Sequence, residues 1–541
     1  MRFRGLTRRQ FLISGSALAA FFTTGFTWPW RDRKITGQIL GASSPLGHKL
    51  RDGYNFPSPS ETIKKDAVIV GGGIAGLSAA WKLRKAGLDN FTVLELEKDV
   101  GGNSHYGENA VSAYPWGAHY VPLLTDESTA ARELFADLGV ITGYDEGLPI
   151  YNEYYLSADP QERLYMYGRW QEGIVPATGL TPKDKAQYAA FFSHVESFKN
   201  KKGSDGKKAF AIPLDKSSSD LQFRDLDKLS IAEYMKQRGW DSEPLNWYVD
   251  YCCRDDYGAT KEEISAWAGI HYFAARTGKG ANAMPTSVIT WPEGNGFIVR
   301  QLKEKLGANL KTQALVYAIE NNKEGVSVRY FDVANNRTIQ IDAKAVIIAA
   351  PQFIARRLTK DDFDAKPFQY SPWMVANVTL DAVPQGRGAD LAWDNMIYGS
   401  RLLGYVVATH QNLNRIQDKT VLTYYWPLSH LSPADARKEA LARPYEEWRD
   451  IVLKELLTIH PELRGQVRNV DIWLWGHGMI RPEPGFIWGE ARQKALKSSP
   501  PVFHAHSDMS GISIFEEANA HGVAAAESLM AHLHHPFQTS L

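Results

Sequence analysis

The sequence predicts an α/β protein in which a Rossmann-like dinucleotide-binding domain is interleaved with an α+β substrate domain. Three observations carry this. The run Ala67-Val68-Ile69-Val70-Gly71-Gly72-Gly73-Ile74-Ala75-Gly76-Leu77-Ser78-Ala79-Ala80 reads as an apolar strand, a glycine turn and the opening of a helix. A second apolar strand, Phe91-Thr92-Val93-Leu94, follows at the right distance and ends in Glu95. Further strand-like runs, Val316–Ile319, Val326–Val328 and Ala345–Ala350, recur after a long helical excursion. In the first run, Gly71 permits the tight turn, Gly73 lets backbone amides approach a pyrophosphate, and Gly76 lets the helix pack on its strand. The amides of Ile74 and Ala75 open the helix, whose positive end suits a diphosphate. Glu95 is placed to accept from a ribose 2′-OH.

The elements before this domain read differently. Arg2, Arg4, Arg8 and Arg9 make a basic start, and the uncharged stretch from Phe11 to Phe26 follows. That stretch is shorter than the roughly 20 apolar residues a spanning helix needs. It reads as the apolar region of an export signal, and Thr7-Arg8-Arg9-Gln10-Phe11-Leu12 resembles a twin-arginine signal. Residues 1–36 are assigned to this signal or anchor and 37–65 to a linker. The resemblance implies export of folded protein by the twin-arginine translocase to a periplasmic or extracytoplasmic site, with retention as a membrane tether left open.

The dinucleotide domain is expected in three pieces, 66–120, 288–352 and 495–541. The substrate domain takes 121–287, mainly helical, and 353–494. Helical periodicity marks Ala130–Leu138, Lys183–Phe198 and Ile231–Arg238, and the polar stretch Lys199–Ser219 reads as a surface loop. Strand-like runs at Met374–Leu380, Leu403–Thr409, Thr420–Trp426 and Val470–Trp475 belong to the second piece. Ligand should sit where strand ends of one domain face the other. Lys+Arg and Asp+Glu balance at 61 each, which gives no reason to expect a nucleic-acid partner. The two cysteines, Cys252 and Cys253, are adjacent; they exclude a disulfide framework and read as buried thiols. His504 and His506 lack a third ligand, so no metal site is assigned.

Beyond Glu95 the chain continues Leu96-Glu97-Lys98-Asp99-Val100-Gly101-Gly102-Asn103, then Pro115-Trp116-Gly117-Ala118-His119-Tyr120. This resembles the flavin-containing amine oxidoreductase superfamily, which includes monoamine and polyamine oxidases and phytoene-type desaturases. Pro292-Glu293-Gly294-Asn295-Gly296-Phe297, His504-Ala505-His506-Ser507-Asp508 and Glu516-Glu517-Ala518-Asn519-Ala520-His521-Gly522 follow in the family's order. The resemblance implies a glutathione reductase-like fold of the amine oxidase type with FAD as cofactor. It implies contacts from Gly101, Gly102, Asn103, Gly117 and Ala118, from Val316 to the adenine, and from Asp508 to the ribityl and diphosphate. Glu516 and Ala518 would lie on the helix beneath the flavin. The chain departs from the family at Asn103 and Pro115, and at Asn377, which is aligned with a lysine that holds a water near flavin N5.

A flavin performs the electron transfer while the protein binds and orients. The expected activity is FAD-dependent oxidation of an amine, or a related small organic substrate, by hydride transfer to the flavin. Desaturation of a C–C bond and a non-catalytic FAD-fold binding protein stay open as alternatives. His119 is the candidate for a direct chemical role. Trp473 and Trp475 share a strand face, and Trp475 is the candidate pocket wall. Without the lysine, electrons are expected to pass to a quinone or a redox protein.

Overall fold

A computed structural model describes residues 34–359, 364–413 and 416–541. Arg8, Arg9 and the rest of the expected signal up to residue 33 lie outside the described residues. Among those described, no helix is long and apolar enough to cross a membrane.

The first of two large sheets has seven strands. Its centre is Pro59–Val70, paired in parallel with Phe91–Leu94 on one side and Arg337–Ile348 on the other. Leu310–Lys311 and Val502–His504 extend the parallel set, and Gly325–Asp332 and Ala314–Asn322 close it as an antiparallel hairpin. Ala67, Val68 and Ile69 are fully buried, as a parallel strand covered on both faces requires. One cover is made by the helices Ile74–Lys85 and Phe515–His532. They approach closely because of Gly522, where a Cβ would stand 2.2 Å from the Ala75 carbonyl oxygen. This α/β, Rossmann-like sheet collects strands from all three expected pieces.

The second sheet has eight strands in the order 39–41, 467–480, 370–380, 420–427, 404–407, 394–397, 162–166 and 169–172. The helices Pro433–Ala442 and Tyr445–Ile459 cover one face. The helical excursion, including Pro182–Lys199, Glu243–Tyr257 and Ala266–Ala274, covers the other. Cys252 and Cys253 are buried free thiols on the second of these helices.

Two expectations are corrected. Residues 37–65 are not a bare linker. Ile39–Gly41 adds a parallel edge strand to Val467–Ile480, Ser44–Arg51 is a helix, and the strand ending at Val70 already begins at Pro59. Ser43 donates from N and Oγ to the two oxygens of Glu97, at 2.7 and 2.6 Å, and ties this segment to the dinucleotide domain. Lys199–Ser219 is a surface loop only in its charged first half. Ala209, Phe210, Ala211, Ile212 and Leu214 are buried, with Phe210 packed edge-on to Phe198 and tilted against Trp267. The six-residue run 209–214 is too short to show helical or strand periodicity, so the charges around it dominate the pattern.

Candidate active site

The ends of the parallel strands frame a cavity of about 320 Å³. Each glycine of the turn has a separate steric cause. Gly71 has φ +107° and a Cβ there would meet the Ala349 carbonyl oxygen at 2.3 Å. At Gly76 it would meet the Gly71 carbonyl oxygen at 1.9 Å. Gly72, which the sequence reading passed over, would strike Val100 Cγ1 at 2.8 Å. Gly73 differs. The nearest atom to its Cβ would be Gly102 Cα at 3.9 Å, so the space beside it belongs to the cavity.

Gly101 and Gly102 bring a second bare backbone alongside, with φ +137° and +54°, and the Gly101 amide donates to the Gly72 carbonyl at 2.8 Å. Gly73 carries no side-chain cap, so the first amides of the helix, including those of Ile74 and Ala75, have no intrahelical partner. This cradle, which a Cβ at Gly73 or Gly102 would fill, fits a diphosphate. Glu95 lines the same cavity. Its Oε2 accepts from the Gly72 amide at 2.7 Å and its Oε1 from the Glu97 amide at 2.9 Å. Each carboxylate oxygen retains a second lone pair for a ribose hydroxyl. Val316, at a bulge in its strand, lines the same cavity, as do Asp508 and Ala518.

Asp508 is fully engaged. Its Oδ2 accepts from the Gln352 amide at 2.9 Å and from Tyr370 Oη at 2.5 Å, and its Oδ1 faces His506 Nδ1 at 2.9 Å. Burial works to raise its pKa, but His506, Tyr370 and the Gln352 amide together hold it below the usual carboxylate value. Asn295 supplies the opposite case. It is buried, its Oδ1 has no partner in the protein, and it lines both this cavity and the next. An orphaned acceptor at that junction fits a polar ligand group.

A second cavity of about 140 Å³ adjoins the first. Asn103, Ala118, Asn295, Gly478, Ile514 and Phe515 line both. Asn103 reaches across from the turn, and its Nδ2 donates to the Gly478 carbonyl. Gly117 allows this approach, since a Cβ there would stand 2.3 Å from the Asn103 carbonyl oxygen. The walls are aromatic: Tyr120, Trp373, Tyr425 and Trp475. Trp475 Nε1 donates to the Trp116 carbonyl at 2.6 Å and Tyr425 Oη to the Gly117 carbonyl at 2.9 Å, which fixes both rings. His119 stacks on Tyr425 with 4.7 Å between ring centroids. Burial lowers its pKa to about 4, so the imidazole is neutral near pH 7.

Charge enters this pocket from Asp255, Asp256, Arg276 and Glu516. Arg276 Nη2 pairs with Asp256 Oδ1 at 2.6 Å, which leaves Asp255 and Glu516 without a cation of their own. Burial, then the charge of Asp256, pushes Asp255 up to about 7, and burial pushes Glu516 to about 7.

Asn377 does not join the site. It is buried, donating from Nδ2 to the Pro115 carbonyl at 3.0 Å and accepting from Thr423 Oγ1 at 2.6 Å. The cavity-facing residues of its strand are Val375 and Trp373, two and four positions back along the same face. Trp473 likewise packs on Trp116 and His105, and only Trp475 lines the pocket. The sequence reading missed Asp255, Asp256 and Arg276. Their only local signal was a carboxylate pair on a helical stretch, which solvent-exposed faces show equally well.

Comparison with known proteins agrees with this architecture. Residues 69–138 match the NAD(P)-binding Rossmann-like domain family. Oxidoreductase PigB of Serratia sp. (strain ATCC 39006) is 22% identical over 296 residues, 50% of this chain and 41% of that protein. The chain thus spans less than half the length of that relative. Wild-type putrescine oxidase bound to putrescine superposes with a TM-score of 0.63 at 17% identity, over 87% of this chain and 100% of that one. Cyclohexylamine oxidase from Brevibacterium oxydans gives 0.62 at 15% identity, over 87% and 99%. The fold is shared with these enzymes.

Two glycine variants separate binding from folding. Gly73→Val places its methyls in open cleft, so the protein should fold while its affinity for FAD falls at least about tenfold. Gly76→Val drives a side chain into the Gly71 carbonyl and should lower the melting temperature as well. Flavin retention on a desalting column beside thermal unfolding checks both; a Gly73→Val protein that holds FAD normally would refute the assignment.

Proposed function

We propose that the chain is an exported FAD-dependent oxidoreductase that oxidises the C–N bond of a small amine. The observation that carries this is the second cavity, an aromatic box with two carboxylates in excess of its one arginine, opening onto a cleft that fits a dinucleotide. An ammonium group is attracted to aromatic faces and to carboxylates, and a desolvated site strengthens both attractions. The putrescine and cyclohexylamine oxidases that share the fold are named for amine substrates.

The protein's part is binding and orientation. The amides after Gly73 and the bare backbone of Gly101 and Gly102 hold the diphosphate. Glu95 holds the ribose, and the backbone at Val316 meets the adenine. The side-chain Oδ1 of Asn295 stands unpaired at the junction of the two cavities. Bound FAD supplies the hydride acceptor. Trp475 and Tyr425 hold the substrate between them, and Asp255 attracts its charge. The neutral His119 is an acceptor available for hydrogen bonding to the amine.

Asp255 and Glu516 are protonated below about pH 7 and ionised above it, so attraction for a cationic amine grows as pH rises through neutrality. KM for the amine should therefore fall between about pH 6 and about pH 8. Asp255→Asn should raise KM at the upper end by about tenfold, since a desolvated charge contact contributes on the order of 1.5–3 kcal/mol. Steady-state kinetics across that range test it. A KM that ignores both pH and the substitution, or a colourless protein that takes up no FAD, would sink the reading.

No lysine lines the reaction cavity among the described residues. On that ground we assign electron delivery to a quinone or a redox protein and not to oxygen. Reduced enzyme mixed with a soluble quinone should reoxidise much faster than in aerated buffer. Rapid reoxidation in air with stoichiometric peroxide would reverse the assignment.

Export rests on Arg8-Arg9 and the uncharged run behind them. Replacing both arginines with lysine should leave holoprotein in the cytoplasm. Equal extracytoplasmic yield of this variant, read by fractionation, would remove the twin-arginine route.

A further inference from the structure

The first turn of the helix Phe515–His532 places Glu516 between two cavities. On one side is the reaction pocket. On the other is a separate cavity of about 120 Å³ whose rim includes the exposed Thr129 and Asp215. Glu516 is only 3% exposed, and its Oε2 is buried without a hydrogen-bond partner. A native protein seldom keeps a buried acceptor unpaired, and such a group points to a function or to water. The outer cavity has room for several waters, each of which needs only about 10–15 Å³ by this measure.

The surrounding groups define what Glu516 can do. Arg276 and Asp256 face it from the reaction pocket, Tyr151 from the strand Leu148–Tyr151, and Glu517 from its own helix. Asp215, Glu127, Lys216 and His521 line the outer cavity. Glu517 is committed elsewhere: its Oε1 accepts from the Leu214 amide at 2.6 Å, and its Oε2 meets Ser510 Oγ, which also contacts His521 Nε2 at 2.7 Å. Glu516 is the carboxylate left free to reach both sides.

We propose that Glu516 carries protons between the reaction pocket and the outer cavity, giving the proton released in substrate oxidation its own exit. The source of that proton rests on the amine reading. Converting R2CH–NH3+ to R2C=NH2+ breaks one C–H bond, whose electron pair and hydrogen leave as hydride to the flavin. It also breaks one N–H bond, whose proton must go to a base. The Glu516 carboxylate takes that proton from nitrogen and passes it to water in the outer cavity, returning to its ionised form. The raised carboxyl pKa, about 7 through burial, suits a group that gains and loses a proton near neutral pH.

The test uses full-length holoprotein and needs no turnover. Infrared difference spectra between about pH 5 and about pH 9 should show a protonated carboxyl band that titrates. The difference between wild type and Glu516→Gln isolates Glu516 from Asp255 and Glu517. On rapid mixing into deuterated buffer this band should shift at once in wild type. It should shift at least about tenfold more slowly in Ala520→Phe, which fills the outer cavity without lining the reaction pocket. An unchanged exchange rate in Ala520→Phe would overturn the exit route, and an unaltered spectrum in Glu516→Gln would overturn the carrier. If Glu516→Gln does not fold, Glu516→Asp takes its place in assigning the band, and the Ala520→Phe exchange rate of that band then decides. An enzyme inert to amines but showing both infrared effects would remove the amine reading and keep the relay.

Discussion

Main chain packed directly on main chain is the constraint from which this site is built. Added Cβ atoms at Gly76, Gly71, Gly522 and Gly117 would stand 1.9–2.3 Å from carbonyl oxygens of Gly71, Ala349, Ala75 and Asn103. Those contacts join the glycine turn, the strand Arg337–Ile348, the C-terminal helix and the segment around Asn103. Because the joins need no side chains, the helix start and its unpaired amides come close to the strand ends. Gly73 and Gly102, bare backbone packed side by side, both line the cleft. A ligand phosphate can then meet backbone donors that no side chain screens.

Electrostatics follows from the same burial. Asp508 and Glu516 are carboxylates buried from water and Asp255 is a half-buried one, and the three differ in state. Asp508 has a histidine, a tyrosine and an amide around it and stays ionised. Burial raises both Asp255 and Glu516 to about 7, and at Asp255 a like-charged neighbour whose arginine is already taken adds to the rise. Keeping such groups costs stability, and strongly shifted carboxyls in a cleft mark functional sites more often than structural ones. The aromatic walls beside Asp255 and Glu516 lower the effective dielectric, which makes their charge felt by a small substrate.

The two domains depend on each other through residues far apart in the chain. The reaction pocket draws Tyr120 from the first dinucleotide piece, Asp255 and Arg276 from the first excursion, Trp373, Tyr425 and Trp475 from the second, and Glu516 from the last helix. The short strand Ile39–Gly41 belongs to one sheet while Ser43, two residues on, is bonded to Glu97 of the other domain. The segment before the glycine turn therefore fastens the domains together beside the cleft, where Gly47 and Leu50 line the wall.

Local physics was legible in the sequence wherever backbone requirements or repeating burial left a pattern. Gly71, Gly73 and Gly76 with Glu95 showed the turn, because steric demands at fixed spacing can be met only by particular residues. The helices at 129–137, 182–199 and 231–237 showed themselves by periodicity, since one face of each is buried, and the strand at 370–380, buried along its whole length, by a mostly apolar run. The strand at 39–41 and the buried run 209–214 are too short for a period, and their partners lie hundreds or tens of residues away. For the same reason Asn377 was assigned to the flavin side from its strand alone. Which residue of that face meets the cavity depends on where the strand crosses Pro115 and Thr423. The sequence by itself determined a dinucleotide cleft and the interleaving of two domains. Only the tertiary structure decided that Asp255, Glu516 and an aromatic box share one pocket, because their charge states and contacts arise from convergence of distant segments and leave no trace at any local spacing.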